Sequence, residues 1–362
     1  MKEELNLKEI TQWDVCKGRP LTICGPCSAE SEQQVMETAI ELVKLKKVDI
    51  FRAGIWKPRT RPNSFEGVGR EGLKWLRNVK KETGIPVATE VANASHVNDA
   101  LKFGVDVLWI GARTSANPFA MQEIADALNG VDSMVFVKNP VNPELNLWIG
   151  AIERVAKAGI TKIGAIHRGF STYEHIQYRN QPKWLLPIEL KRIIPDIPLI
   201  CDPSHIGGAR EYLFELAQKA MDLNYNGLMI ESHINPEAAL SDKEQQVTPV
   251  QLNNLLNRLV FRDSVSNNLA FIDTLGELRS QIDLYDDQLL ELIEQRMFVA
   301  KTIGKYKKEN NITILQSHRW EEIMQKAVLQ GESKGLSQEF INNLFKAVHQ
   351  ESINHQNRVM NN

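Results

Sequence analysis

The sequence is poor in cysteine. Four residues, Cys16, Cys24, Cys27 and Cys201, serve a chain of 362, too few for a disulfide framework of the secreted kind. No apolar run reaches the ~18 residues that cross a bilayer, and the opening MKEELNLKEI lacks the apolar stretch of a signal peptide. An excess of one charge is also missing. The 43 Lys and Arg face 45 Asp and Glu, a net of −2, without the basic surplus of a general nucleic-acid binder. No dinucleotide-binding glycine fingerprint opens the first strand–helix unit. What is present is a composition 43% hydrophobic, enough for a large core and incompatible with disorder as the main state. At roughly 100–200 residues per domain, the length suggests about two domains. The expectation is a soluble cytoplasmic protein, with no membrane and no nucleic-acid partner.

Residues 21–258 alternate short β-rich runs with amphipathic stretches. The strand candidates are LTICGPC (21–27), DIFRAGI (49–55), PVATEV (86–91), VLWIGA (107–112), MVFVKNP (134–140), KIGAIHR (162–168), PLICDPSH (198–205) and GLMIESH (227–233). Most are nearly continuous apolar runs, as parallel strands covered on both faces require. Eight such units predict an α/β chain whose first part, residues 1–258, is a (β/α)8 TIM barrel. A polar linker is expected over 259–270, and beyond it the pattern over 271–362 is helical only. Leu275, Leu278, Ile282, Tyr285, Leu289, Leu292, Val299 and Ile303 trace one apolar stripe at heptad-like spacing. A helix of that length spans roughly 58 Å at 1.5 Å per residue, more than so small a domain covers by itself. Two copies covering each other's stripes predict an all-α dimerising domain, and hence a homodimer.

In such barrels the chemistry sits at the C-terminal strand ends. Those ends supply Cys27, Arg52 with the loop Lys57-Pro58-Arg59-Thr60, Glu90, Arg113, Lys138, Arg168, Asp202 with His205, and Glu231 followed by Asp242. Cations follow strands two, four, five and six. Metal-capable side chains follow strands one, seven and eight, which are neighbours in a closed barrel, so Cys27, His205, Glu231 and Asp242 can converge. Each of them taken singly is equally a packing or hydrogen-bonding residue. As a set, a thiolate, an imidazole and two carboxylates suit a divalent transition metal (Mn, Fe, Co or Zn) and not Mg, which prefers oxygen. Cys24-Gly25-Pro26-Cys27 is also a CxxC sequence, which raises thiol-redox chemistry; a barrel of eight strands favours giving Cys27 to the metal and Cys24 to packing.

GPCSAES, KPRTRPNSFEG, GART, KNP, HRGF, DPSH and IESHINPEAALSD, in this order, resemble the 3-deoxy-D-arabino-heptulosonate 7-phosphate (DAHP) synthases in their short type I-beta form, over about residues 15–258. The resemblance implies a metal site of Cys27, His205, Glu231 and Asp242. It implies phosphoenolpyruvate bound by Arg52, Lys57, Arg113, Lys138 and Arg168, and the phosphate end of erythrose 4-phosphate held on Lys57, Pro58, Arg59 and Thr60. Cations between two phosphorylated substrates offset their mutual repulsion. Glu90 and Lys57 are both candidates for handling the proton of the attacking water. Arg61 departs from the family pattern, and either binds phosphate or faces solvent.

In the helical part, Arg296 and Lys307 interrupt the stripe and Arg279 lies at its edge. A buried unpaired charge costs too much to be incidental, although long stems also snorkel. Three cations on one face favour an anion pocket. LRSQIDLYDDQLLELIEQRMFVAKTIGKYK resembles the all-helical chorismate mutases over about 271–362. The resemblance implies that Arg279, Arg296, Lys307, Arg319, Ser352 and Gln356 bind chorismate, with Lys307 and Gln356 at the ether oxygen and Arg279 supplied by the partner chain. Trp320 and Gln316 stand where relatives carry acids, which leaves the contact to the substrate hydroxyl open, moved to Glu321 or lost. The expected protein is a bifunctional shikimate-pathway enzyme whose mutase pocket doubles as a feedback sensor. The alternative is a synthase with a non-catalytic helical sensor and dimerisation domain.

Overall fold

The computed structural model describes residues 5–16, 20–57, 65–172, 177–263, 265–315 and 317–361. The chain divides into two compact units, Met1–Ser264 and Val265–Asn362. In the first, β1 (Leu21–Gly25), β2 (Ile50–Arg52), β3 (Val87–Val91), β4 (Val107–Ile110), β5 (Met134–Lys138), β6 (Ile163–His167), β7 (Leu199–Cys201) and β8 (Gly227–Glu231) close in sequence order into an eight-stranded parallel barrel. The seam is β1 on β8, with Leu21 opposite Gly227 and Gly25 opposite Glu231. This is the barrel that the alternating pattern predicts. Its longer helices are α1 (Glu32–Lys44), α2 (Glu71–Thr83), α3 (Ala94–Lys102), α5 (Pro118–Ala127), α6 (Leu145–Lys157), α7 (Leu185–Ile193), α9 (Leu213–Asp222) and α10 (Pro249–Arg258).

Two apolar cores follow from the two-residue period of the strands. Outward-facing Cys24, Phe51, Leu108, Val135, Val137 and Ile230 pack in one shell with the helices. Inward-facing Ile23, Ile50, Ala88, Val107, Phe136, Ile166, Ile200 and Met229 fill the barrel. Trp13, 2% exposed, joins this inner core and meets Phe136 at 5.5 Å between ring centroids.

Two short helices replace expected strand ends. The run 198–205 stops as a strand at Cys201, and His205 sits in α8 (Pro203–Gly207). The reason is local: Pro203 opens the first turn, and the Asp202 carboxylate caps it by accepting the His205 backbone N–H. In the same way Arg113 lies in α4 (Ala112–Ser115), beyond β4.

The second unit is α11 (Leu269–Glu309), α12 (Ser317–Glu332) and α13 (Gln338–Asn361). The 41 residues of α11 run about 60 Å. Asn268 caps its start by accepting the Phe271 N–H. Its buried residues are Met297, Ala300 and Gly304, all near the C-terminal end. The stripe residues Leu278, Ile282, Tyr285, Leu289 and Leu292 are exposed within one chain. No helix among the described residues is long and apolar enough to cross a membrane.

Candidate active sites

Two residues beyond each inward apolar residue of the barrel, the same face carries the next layer: Gly25, Arg52, Glu90, Trp109, Lys138, Arg168, Asp202 and Glu231. The lower layer is apolar packing; the upper one carries the ionisable side chains. Trp109 is its floor. The Arg52 guanidinium lies 4.8 Å from the Trp109 ring centroid and Lys138 Nζ 6.0 Å away, while Trp109 Nε1 donates to Glu90 Oε2 at 3.0 Å.

Cys27, Glu231 and Asp242 offer ligand atoms within 4.8 Å of one another. Cys27 Sγ is 3.1 Å from Asp242 Oδ2 and 3.0 Å from Lys57 Nζ. His205 stands beside this trio, its Nε2 3.7 Å from Glu231 Oε1 and its Nδ1 2.8 Å from Asp202 Oδ2. A carboxylate behind an imidazole orients the ring and its free nitrogen. Burial, with Glu231 nearby, pushes the Cys27 thiol up to about 12. Burial would raise Glu231 and Asp242 also, but His205, with Arg52 at Glu231 and Arg179 at Asp242, holds both below their ordinary range. Glu231 Oε1 is buried and accepts no hydrogen bond among the described residues. A sulfur, two ionised carboxylates and an oriented imidazole fit a divalent transition metal. Asp242 adopts φ 47°, a left-handed conformation that Asp tolerates at a cost of about 1 kcal/mol.

The cations gather against this group. Arg52, 1% exposed, donates from Nη2 to the Cys27 carbonyl at 3.1 Å, and Lys57 Nζ donates to the same oxygen at 2.9 Å. Gly54 makes that approach possible, since a Cβ there would stand 2.8 Å from the Cys27 carbonyl oxygen and 3.2 Å from Lys57 Nζ. Lys138 pairs with Asp202 at 2.9 Å. Burial lowers Arg168 to about 10, and Arg179 and Arg113 act in the same direction against Asp202. Cations crowd here beyond the acids that face them, as an anion site requires. Pro58, Arg59, Thr60 and Arg61 lie outside the described residues.

The sequence reading missed a set of neutral and basic residues behind these groups. Gln245 Nε2 donates to Glu231 Oε2 at 2.7 Å, and its Oε1 accepts from Arg179 at 2.9 Å. Arg179 also pairs with Asp242 at 2.8 Å. Gln246 Oε1 accepts the Cys27 N–H at 2.9 Å. Asn180 joins Arg168, whose Nη1 donates to its Oδ1 at 2.8 Å, to the His205 carbonyl. Asn139 accepts the Arg168 backbone N–H at 2.7 Å. Only Asn139 stood in a motif, KNP. The paired glutamines give no sequence signal, because their burial appears only once Val247 folds back to donate to the Glu231 carbonyl. Cys24 lies in the outer apolar shell, fully buried, whereas Cys27 is at the mouth.

In the helical unit, Arg296, Lys307, Arg319, Ser352 and Gln356 line one cavity of about 270 Å³. Arg296 donates to Ser352 Oγ, and Lys307 Nζ donates to the Ile314 carbonyl at 2.5 Å. Gly304 lets α13 come close, since a Cβ on it would meet Gln356 Cα at 3.1 Å. Val299, Ala300, Ile303 and Ile323 supply the apolar walls. No carboxylate lines the cavity among the described residues; Glu321 is exposed, and Gln316 lies outside those described. Arg279 is exposed and does not reach this cavity within one chain, being 17 residues, roughly 25 Å, along α11 from Arg296.

Residues 6–264 match the model of the DAHP synthetase I family, and residues 278–357 that of chorismate mutase type II. A phospho-2-dehydro-3-deoxyheptonate aldolase of Thermotoga maritima is 32% identical over 254 residues, covering 70% of each chain. A 2-dehydro-3-deoxyphosphooctonate aldolase of Coxiella burnetii is 30% identical, over 75% of this chain and all of the relative. Among solved structures, the Thermotoga maritima DAHP synthase crystal structure superposes with a TM-score of 0.61 at 29% identity, over 70% of this chain and 72% of that one. A truncated form of the synthase from the same organism gives 0.60 at 27% identity, over 70% and 90%.

Proposed function

The chain belongs to the DAHP synthetase I family and carries a type II chorismate mutase domain behind the barrel, and on that premise we propose how its residues divide the two reactions. Arg52, Lys57, Arg113, Lys138 and Arg168 hold phosphoenolpyruvate, with its carboxylate and phosphate among the crowded cations. Lys57, Pro58, Arg59 and Thr60 hold the phosphate of erythrose 4-phosphate, so that the enol carbon faces the aldehyde. Cys27, His205, Glu231 and Asp242 hold a divalent transition metal (Mn, Fe, Co or Zn). What such an ion supplies when bound is Lewis acidity toward the aldehyde oxygen. The cations fix both substrates in register, an orientation effect that accounts for much of the barrier in a two-substrate condensation. The new carbon–carbon bond leaves the former enol carbon cationic; water adds there and phosphate departs. Glu90, held by Trp109, is the group proposed to take the water's proton; Lys57, whose pKa lies above its ordinary value, stays a cation and can only donate.

The observation that carries this reading is the barrel mouth, where Arg52, Lys138 and Arg168 of the upper layer are joined by Lys57 and stand beside a thiol–carboxylate trio. The test is consumption of phosphoenolpyruvate with erythrose 4-phosphate, with and without chelator. Turnover that needs both substrates and stops on chelation is expected; turnover indifferent to chelation overturns the metal assignment.

In the helical unit, Arg296 and Arg319 clamp the carboxylates of chorismate in its folded conformer. Lys307 and Gln356 donate to the ether oxygen as charge grows there, so the rearrangement needs no nucleophile. Arg279 enters from a second copy, and the exposed stripe of α11 is the dimer face that delivers it. The product of this site, or chorismate itself, also lowers the synthase rate from the same pocket.

A further inference from the structure

The helical cavity contains two rings that no expected role accounts for. Trp320 of α12 and His349 of α13 stack with centroids 4.0 Å apart and planes inclined by 19°, and both line the cavity. A stack of this kind fixes the plane of the imidazole. His349 Nε2 is buried and has no hydrogen-bond partner among the described residues. A polar atom left unmet in such a place is destabilising unless something bonds it. The groups facing it are Arg296 and Lys307 from α11 and Arg319 from α12; on α13 the nearby Glu351 is engaged with His355 at 3.0 Å.

We propose that His349, held by Trp320, is the residue that recognises the ring hydroxyl of the substrate in this pocket, in place of a carboxylate. The proposal rests on the mutase reading above and deepens it. Arg296, Lys307 and Arg319 line this pocket and are the groups assigned to the substrate's charged and ether oxygens. A neutral imidazole leaves them free and still offers a lone pair to a hydroxyl donor. Burial, followed by Arg296 and Lys307, lowers the His349 pKa below its ordinary value, which keeps the ring neutral at working pH. The open question of the hydroxyl contact, raised by Trp320 and Gln316, then has one answer: the acid is absent and a histidine on the neighbouring helix serves.

The experiment uses the full-length protein with chorismate and with an analogue lacking the ring hydroxyl. Wild type is expected to prefer chorismate in kcat/KM by tenfold or more, since a site built to bond a hydroxyl rejects the analogue without it. His349→Leu should lose that preference, and His349→Gln, which keeps an acceptor, should recover part of it. If His349→Leu shows no cooperative thermal transition, the pH profile decides. The acid limb of wild-type kcat/KM, where a protonated ring can no longer accept, should be missing in His349→Gln. Discrimination and acid limb both unchanged by substitution overturn the proposal and leave the mutase reading standing. A wild type that does not rearrange chorismate overturns both.

Discussion

Gln245 does at the barrel mouth what no charged residue there does. It donates to Glu231 with one end and accepts from Arg179 with the other, so one amide sets the orientation of a carboxylate and of the arginine that pairs with Asp242. Groups of this kind behind a metal ligand typically alter affinity by roughly 10–100-fold. Gln245→Leu is therefore expected to weaken metal binding by about that factor with the fold intact, read by chelator competition against the circular dichroism spectrum. His167 makes a different residue-scale prediction. Its Nε2 lies 2.6 Å from the Pro182 carbonyl and its Nδ1 3.0 Å from Tyr225 Oη, and burial lowers it to about 4. The unfolded histidine takes a proton near pH 6.5 and the folded one does not, so this contribution is complete above 6.5 and is lost as pH falls toward 4. The loss amounts to roughly 3 kcal/mol over that window. Urea midpoints at pH 7.5 and pH 4.5 should differ more in wild type than in His167→Gln; equal differences would exclude the mechanism.

At the scale of the element, α11 carries two demands on one surface. Its C-terminal third packs on α13 through Met297, Ala300 and Gly304, while Leu289 and Leu292, 48% and 62% exposed, find no cover in one chain. Substituting both by Lys is expected to turn a dimer into a monomer by sedimentation velocity and to cost the mutase most of its rate, because Arg279 then has no neighbour to serve. A dimer that survives the double substitution would move the interface elsewhere. The same helix shows what was legible in the sequence. Its existence, its length and the cations Arg296 and Lys307 follow from spacing, because a 3.6-residue period is a local property. That the stripe and the buried face differ does not follow, since the small residues Ala300 and Gly304 pack by close approach and leave little hydrophobic signal. The barrel is similar: eight apolar runs announce eight strands, and the residue two beyond each names the mouth. The turn into α8, which carries His205, required reading Asp202-Pro203 as a helix start instead of a strand end. The buried glutamines belong to a tertiary contact 219 residues wide between Gln246 and Cys27, which no local pattern carries.

At the scale of the whole molecule, two reactions share one chain, and the proposal that the mutase pocket also regulates the synthase has a numerical form. Coupling free energies of this kind run to about 1–3 kcal/mol, roughly 5–150-fold in affinity. Prephenate should weaken phosphoenolpyruvate binding by the full-length protein, and with it the synthase rate below substrate saturation, by at least about fivefold, and Arg296→Ala should remove the effect. By reciprocity a phosphoenolpyruvate analogue must change prephenate affinity by the same factor. A synthase curve flat in prephenate and in chorismate would reduce the fusion to an assembly device. The seam of the barrel carries a last consequence, for the order in which the protein is made. β1 finds its second neighbour only in β8, so the strand preceding Cys27 emerges from the ribosome about 200 residues before the strand that completes it. Long-range pairings of this sort form late and leave their partners uncovered meanwhile. Through most of translation, then, Cys27 is an accessible thiol on an unfinished sheet, open to oxidants and to stray soft metals. With Cys16, Cys24 and Cys201 replaced by Ser, ribosome-stalled chains ending at residue 226 should take a maleimide label that a further Cys27→Ser substitution removes. Chains extended well beyond residue 258 should refuse it, and the step between the two marks the moment at which the cell's most exposed copy of this enzyme becomes its safest.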